Sequence, residues 1–349
     1  MMTLVPKIIS LEFTVPRYSY TQDEIFKALG YPRLFSSVYT GAGISKRHFC
    51  VPLDKAHDMS WQQQCATYIV EAEDLSVAAV EKCARDGVGK IDRLYYNSCT
   101  GFAPGPTIGH LISRRVPTLN GARVVNLSSM GCEAALPGIS VAYDYCVAWG
   151  KPAMVVNCEL CSLTYYPEKP SPDKENDYEL LRGNALFADA AVAGIIGFDH
   201  NDRHPYILAM KTLTDYSHMN DLGYVWSEGR LRLKLSRSVP DTALLLIQKV
   251  VSEVMAEWEL EAKSVRFWVV HAAGSKVLDL VESAFLLSKE QLWFSRQTLF
   301  RYGNCSSATV GITGKIIMEE GNPHVGDYGV MVNVGPGMTA NAMLIKWGS

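Results

Sequence analysis

Short, strongly apolar runs alternate with helix-length segments along the whole chain, and few folds accept that alternation. DRLYYNSCTG is followed by a helical stretch, and ARVVNLSS by EAALPGISVAYDYCVAWG. Then come PAMVVNCEL, VAGIIGFD, FWVVHAAG, GVMVNVGPG and NAMLIKW. Runs that are apolar at consecutive positions, not at every second one, read as strands covered on both faces. The expectation is an α/β fold with centrally buried sheets. At 349 residues the chain exceeds one average domain, so two domains or one large duplicated domain follow from length. The polar stretch FDHNDRHPY (198–206) lies between two such series. It sets the expected boundary between an N-terminal half, residues 1–198, and a C-terminal half, residues 199–349. YYPEKPSPDKENDYE (165–179), rich in proline and charge, reads as a surface excursion.

A formal net charge of −3 supplies no basic field, which argues against a nucleic-acid partner. No apolar run approaches the roughly 20 residues of a membrane helix. MMTLVPKIISLEFTVPRY reads as a first strand and lacks the layout of a signal peptide, so a cytoplasmic location is expected. The nine cysteines form no regular framework and several, such as Cys146 and Cys158, sit within apolar stretches. They read as reduced thiols. Cys158 and Cys161 have CxxC spacing, but no second pair or paired histidines accompany them, so no metal site is expected.

Three segments carry chemistry. In RVVNLSSMGCEAALPG a strand (Ala122–Leu127) runs into a small-residue turn and then a helical pattern, placing Cys132 near a helix N-terminus. Unpaired backbone N–H groups and the helix dipole there favour a thiolate, the nucleophilic form. His271 ends the apolar strand FWVVHAAG, and the small residues after it leave open space beside the ring. Asn304 falls in a tight turn, FRYGNCSSATVGI, where its amide can donate to a carbonyl oxygen, as can a protonated histidine.

Taken together and in this order, the three resemble the Cys–His–Asn triad of the condensing enzymes of the thiolase superfamily. HAAGSKVLD followed by YGNCSSATV is close to the pattern of chalcone synthase-like type III polyketide synthases. LRGNALFADAAVAGIIG (181–197) resembles their ALFGDGAAA segment, VNVGPGMTANAMLIKW their GFGPGLT loop, and CTGFAPGP (99–106) their CTTSG…PG stretch. Ketoacyl synthase III fits less well, because its histidine is usually followed by Gln-Ala-Asn.

The resemblance implies a thiolase-like five-layered αβαβα fold built from two similar halves, and a homodimer. It implies that Cys132 carries the acyl chain while His271 and Asn304 bind the thioester carbonyl of the extender unit. Substrates would be thioesters of coenzyme A or of acyl-carrier-protein phosphopantetheine, with no tightly bound cofactor. Phe187 matches one of two phenylalanines that gate the family's site, and Leu233 falls at the other. Cys161, Leu163, Thr164, Thr100 and Ser306 match pocket positions. Lys46, Arg47 and Lys276 are the candidates for holding the phosphates of coenzyme A. Glu133, beside the nucleophile, departs from the family; a carboxylate there opposes a thiolate unless it points away or is paired. The products expected are α-pyrones or related polyketides. A stand-alone ketosynthase joining two carrier-bound β-ketoacyl chains, as in myxobacterial pyrone antibiotic pathways, is the alternative. A Cys–His–Asn thioester hydrolase and a non-catalytic scaffold are the competing classes.

Overall fold

Residues 5–56, 58–85, 89–165, 175–227 and 229–348 are described by the computed structural model. Most of the proposed 165–179 excursion therefore lies outside the described residues. The first part of the chain forms β1 (Lys7–Thr14), β2 (Tyr18–Thr21), β3 (Lys46–Phe49), β4 (Arg93–Ser98), β5 (Arg123–Ser128), β6 (Ala153–Leu160) and β7 (Asp189–Gly197). The second part forms β8 (Pro205–Thr214), β9 (Leu222–Ser227), β10 (Arg230–Leu235), β11 (Val265–Val270), β12 (Tyr328–Gly335) and β13 (Thr339–Trp347). Between them run α1 (Gln22–Leu29), α2 (Ser36–Thr40), α3 (Trp61–Ala84), α4 (Ile108–Arg115) and α5 (Ala135–Trp149). Then come α6 (Glu175–Leu186), α7 (Val239–Ala256), α8 (Ser275–Phe285), α9 (Trp293–Tyr302) and α10 (Ala308–Glu320).

The consecutive apolar runs have a simple cause. Leu94 and Tyr96 of β4, and Met154 and Val156 of β6, point into a core shared with α3 and α4. Their alternates Tyr95 and Val155 point the other way, against α5 and α10. In the second half Trp268 and Val270 of β11 meet α7 and α8, while Phe267 and Val269 face the central helices. Side chains alternate across a strand, so only a strand sandwiched between two apolar layers can be apolar at every position. Each large side chain so buried contributes about 1.5–3 kcal/mol. The result is five layers, helix–sheet–helix–sheet–helix, with α5 and α10 in the middle.

The two halves repeat one strand plan. The first runs β5-β4-β6-β7-β1, with β4 parallel to both its neighbours and β7 antiparallel to both of its own. The second runs β11-β12-β13-β8, with β11 parallel to β12 and β13 antiparallel to its neighbours. It has the same order and directions but no counterpart of β5. The two strand sets meet at one ladder pair, Lys7 on β1 with Tyr206 on β8, and the halves pack on each other through the middle layer. The chain crosses between them from Gly197 to Pro205. β9 and β10 form a separate hairpin inserted after β8.

Candidate active site

The nucleophile turn follows β5. Gly131 has φ +62°, and a Cβ there would lie 2.6 Å from Pro336 Cδ, so only glycine lets this turn close against the β12–β13 connection. Cys132 is in a tight turn (Gly131–Glu133) just ahead of α5, 8% exposed, with Sγ 3.4 Å from Ser306 Oγ. Ser306 belongs to the turn ahead of α10 and is itself held at φ +50°, a strained value of the kind that clusters at functional sites. Two turns, each preceding a central-layer helix, thus meet at the thiol.

Asn304 is tied into the same turn. Its N–H donates to Leu186 O at 3.0 Å, and its O accepts from Ala188 N–H at 2.9 Å. Its Oδ1 accepts from Ser306 N–H at 2.9 Å, leaving Nδ2 only a long 3.5 Å bond to Ala273 O. His271 continues the β11 ladder for one residue, its N–H donating to Val332 O at 2.8 Å. Neither ring nitrogen has a partner among the described residues, although the residue is 4% exposed. Cys132, His271 and Asn304 line one narrow cavity of about 40 Å³, whose other walls are chiefly aliphatic (Leu186, Leu235, Val239, Ile247) and include Phe187.

Burial governs the charge states. It pushes the Cys132 thiol up to about 12; the Ser306 hydroxyl pulls it down, and Glu159 and Glu133 push it further up. Burial also pushes the His271 imidazole down to about 4. Burial thus works against the lowering of the thiol expected from the helix end, and it disfavours the charged form of both groups. Glu133 does not face the thiol: its Oε2 accepts from Asn341 Nδ2 at 2.6 Å, and it lines a different cavity. Its burial pushes the carboxyl up to about 7.

Glu159 is the residue that sequence reasoning missed. It is fully buried at the end of β6 and accepts from Ser307 Oγ at 2.6 Å, Thr100 Oγ1 at 3.0 Å, Cys99 N–H at 3.1 Å and Ser306 Oγ at 3.5 Å. Burial raises its pKa against these donors. The signal was present as a lone glutamate in the apolar run VVNCEL.

Of the pocket residues, Phe187 stands between the catalytic cavity and a second, small chamber of about 20 Å³ that Cys161, Thr164 and Leu233 line. Tyr224 of β9 lines it too and was not anticipated. Cys132, Cys161 and Phe187 form one apolar contact cluster, with Leu233 packed against it. Two assignments need correction. Leu163 belongs to the outer core beneath α3, because the turn after β6 points it away from the chambers. Thr100 is spent on Glu159 and on Leu160 N–H, which it binds at 2.8 Å.

The cation assignments divide. Lys276 lines a groove of about 510 Å³ together with Arg182 and Arg237. That groove shares Leu186, Leu235, Val239, Ala273 and Val277 with the catalytic cavity, so it forms the approach to it. Lys46 is exposed on β3 but does not line the groove. Arg47 must be corrected outright: it is fully buried, and its Nη1 donates to Asn184 O and Phe187 O at 2.8 Å each and to the Tyr165 hydroxyl. It braces the backbone of Phe187 and cannot meet a phosphate.

Residues 22–214 match the family described as FAE1/Type III polyketide synthase-like protein, and residues 209–347 match the C-terminal domain of chalcone and stilbene synthases. The chain belongs to the chalcone synthase-like type III polyketide synthases. It is 24% identical to a putative chalcone synthase of Bacillus subtilis, over 97% of this chain and 98% of that one. It is 27% identical to the 1,3,6,8-tetrahydroxynaphthalene synthase of Streptomyces coelicolor, over 87% of this chain and 80% of that one. The crystal structure of the Streptomyces coelicolor enzyme superposes with a TM-score of 0.90 at 24% identity, covering 98% of this chain and 99% of that one. A polyketide synthase from the brown alga Ectocarpus siliculosus superposes with a TM-score of 0.86 at 21% identity, covering 99% of each chain. The five layers are thus the thiolase-like fold of type III polyketide synthases, and this synthase is a condensing acyltransferase.

Proposed function

We propose that this type III polyketide synthase loads an acyl chain on Cys132 and extends it by decarboxylative Claisen condensation, giving an α-pyrone or related polyketide. The observation that carries the reading is the convergence of Cys132, His271 and Asn304 on one aliphatic cavity reached from a cation-edged groove. Starting from the neutral thiol and imidazole that burial favours, His271 takes the thiol proton as Sγ attacks the thioester carbonyl and keeps it, while the departing thiolate is protonated from solvent. Loss of CO₂ from a malonyl thioester develops charge on its carbonyl oxygen. Protonated His271 and Asn304 Nδ2, whose present bond is long, are the two donors for it. The enolate carbon attacks the acyl carbon, the Cys132 thiolate leaves, and a β-ketoacyl thioester is formed. Lys276, beside Arg182 and Arg237, is suited to the phosphates of a pantetheine-linked donor.

The second chamber behind Phe187 favours a further reading, in which two carrier-bound β-ketoacyl chains meet at Cys132. One experiment addresses both. Wild type and Cys132→Ala are mixed with a medium-chain acyl thioester, on coenzyme A or on acyl carrier protein, and their intact masses are measured. Wild type gains one acyl mass and the mutant none. Better loading from the carrier protein selects the two-chain reading. Equal acylation of both proteins, or of neither, refutes the nucleophile assignment.

A further inference from the structure

Three polar side chains stand in one row across the second half's sheet. Asn333 of β12 pairs with Asn341 of β13, and Asn341 pairs with Thr212 of β8. Both asparagines are almost fully buried, at 1% and 3% exposure. Buried amides are costly unless bonded, and this row is bonded end to end. Thr212 Oγ1 donates to Asn341 Oδ1 at 2.6 Å, and Asn341 Nδ2 donates to Asn333 Oδ1 at 3.1 Å. The remaining donors converge on the residue after the nucleophile. Asn341 Nδ2 reaches Glu133 Oε2 at 2.6 Å, and Asn333 Nδ2 reaches Glu133 O at 2.8 Å. Gly335 completes the clamp, since a Cβ there would lie 2.7 Å from Glu133 N. Asn333 also lines the catalytic cavity, and Glu133 lines a cavity of about 320 Å³ on the other side of the turn.

We propose that Glu133 is a positioning residue: through it the polar row of β12, β13 and β8 fixes the Cys132 turn, and its carboxylate, turned away from the thiol, adds to the negative charge that Glu159 places there. This rests on Cys132 being the acyl-carrying nucleophile. The groups that bear on the charge are few. Lys211 of β8 shares that cavity with Glu133 and is ion-paired with Glu257; the α5 residues there, Leu136, Pro137, Ser140 and Val141, are uncharged. Around the thiol stand Glu159 from β6, His271 after β11, and the thiols of Cys99 and Cys161. Of these carboxylates, Glu133 is the one that the polar row holds at both its side chain and its main-chain oxygen.

The test compares Glu133→Gln, Glu133→Ala and Asn341→Ala with wild type in the intact chain. The pH profile of Cys132 alkylation by iodoacetamide, located by peptide mass mapping, reads the thiol without any substrate. Acyl loading from an acyl-coenzyme A reads the geometry. Glu133→Gln keeps an acceptor for Asn341 but removes the charge, so its alkylation midpoint lies about 0.5 pH below wild type. Glu133→Ala and Asn341→Ala load about tenfold more slowly than wild type, as a loosened reacting group does. Glu133→Gln loads several times faster than Glu133→Ala. Superimposed alkylation profiles together with wild-type loading in both alanine variants would overturn the proposal. A shifted profile in a protein that no donor acylates, wild type included, supports the positioning role and defeats the loading reading.

Discussion

At the scale of single residues, Asn304 is the most restrained member of the site. Its Oδ1 is committed to Ser306 N–H, so the amide can present only Nδ2 to the cavity. Asn304→Ala is expected to cut condensation about 10²- to 10³-fold, the effect of removing one oxyanion donor. Acylation of Cys132 persists, because loading does not require an enolate. Release of CO₂ from malonyl thioester, set against intact-protein mass, separates the two steps. Cys132, His271 and Asn304 were legible in the sequence because each sits where an apolar run gives way to small residues, a junction that survives as a cavity wall. Arg47 and Glu159 were not legible. A cation in KRHF looks solvated in one dimension, and the lone glutamate of VVNCEL signals burial without naming its partners, which only the packing of distant segments supplies. Leu163 failed for the opposite reason: an apolar residue next to pocket residues fits a core as well as a pocket.

Among elements, the β9–β10 hairpin stands apart, outside the main sheet and packed beside α6. It delivers Tyr224 and Leu233 to the chamber behind Phe187. A Cβ on Gly183 of α6 would lie 2.6 Å from Leu233 Cδ2, so the helix carries a glycine where the hairpin presses on it. Leu233→Phe enlarges a side chain in this closed space, where overpacking costs about 1–3 kcal/mol. We expect loading of long acyl chains to fall about tenfold relative to short ones, as about 1.4 kcal/mol of exclusion implies. Competition between two chain lengths, read by intact mass, checks this. The alternation of RLRLKL was readable as a strand, but nothing local indicated that its inward face would meet Phe187 of the other half.

For the whole molecule, three buried groups tie stability to pH with opposing signs. Glu133 is raised from 4.5 to about 7 and Asp189 from 3.8 to about 6, both by burial. Their stabilisation is full below the unfolded values and is lost as pH rises through the folded ones. His271, lowered from 6.5 to about 4, stabilises above 6.5 and loses that contribution as pH falls through 4. Glu133→Gln removes one loss. Its Tm should match wild type near pH 4.5 and exceed it at pH 8, which thermal unfolding across that range tests; a parallel offset at all pH values would contradict it.

The αβ alternation of the whole chain was visible because both faces of each strand are covered. The repeat of strand order was not, since it is written in pairing rather than in residue identity. That repeat also has a consequence in time. The middle layer draws on β4 and β6 from one side and β11, β12 and β13 from the other. During synthesis at about 5–20 residues per second, the first half waits roughly 10–30 s for the second. Throughout that wait the face of α5 that meets α10, β12 and β13 has nothing to close on, and the nucleophile turn has no β12–β13 row to hold it. Cys132 is therefore made early and finished late, and its seclusion depends on how soon the final strands arrive.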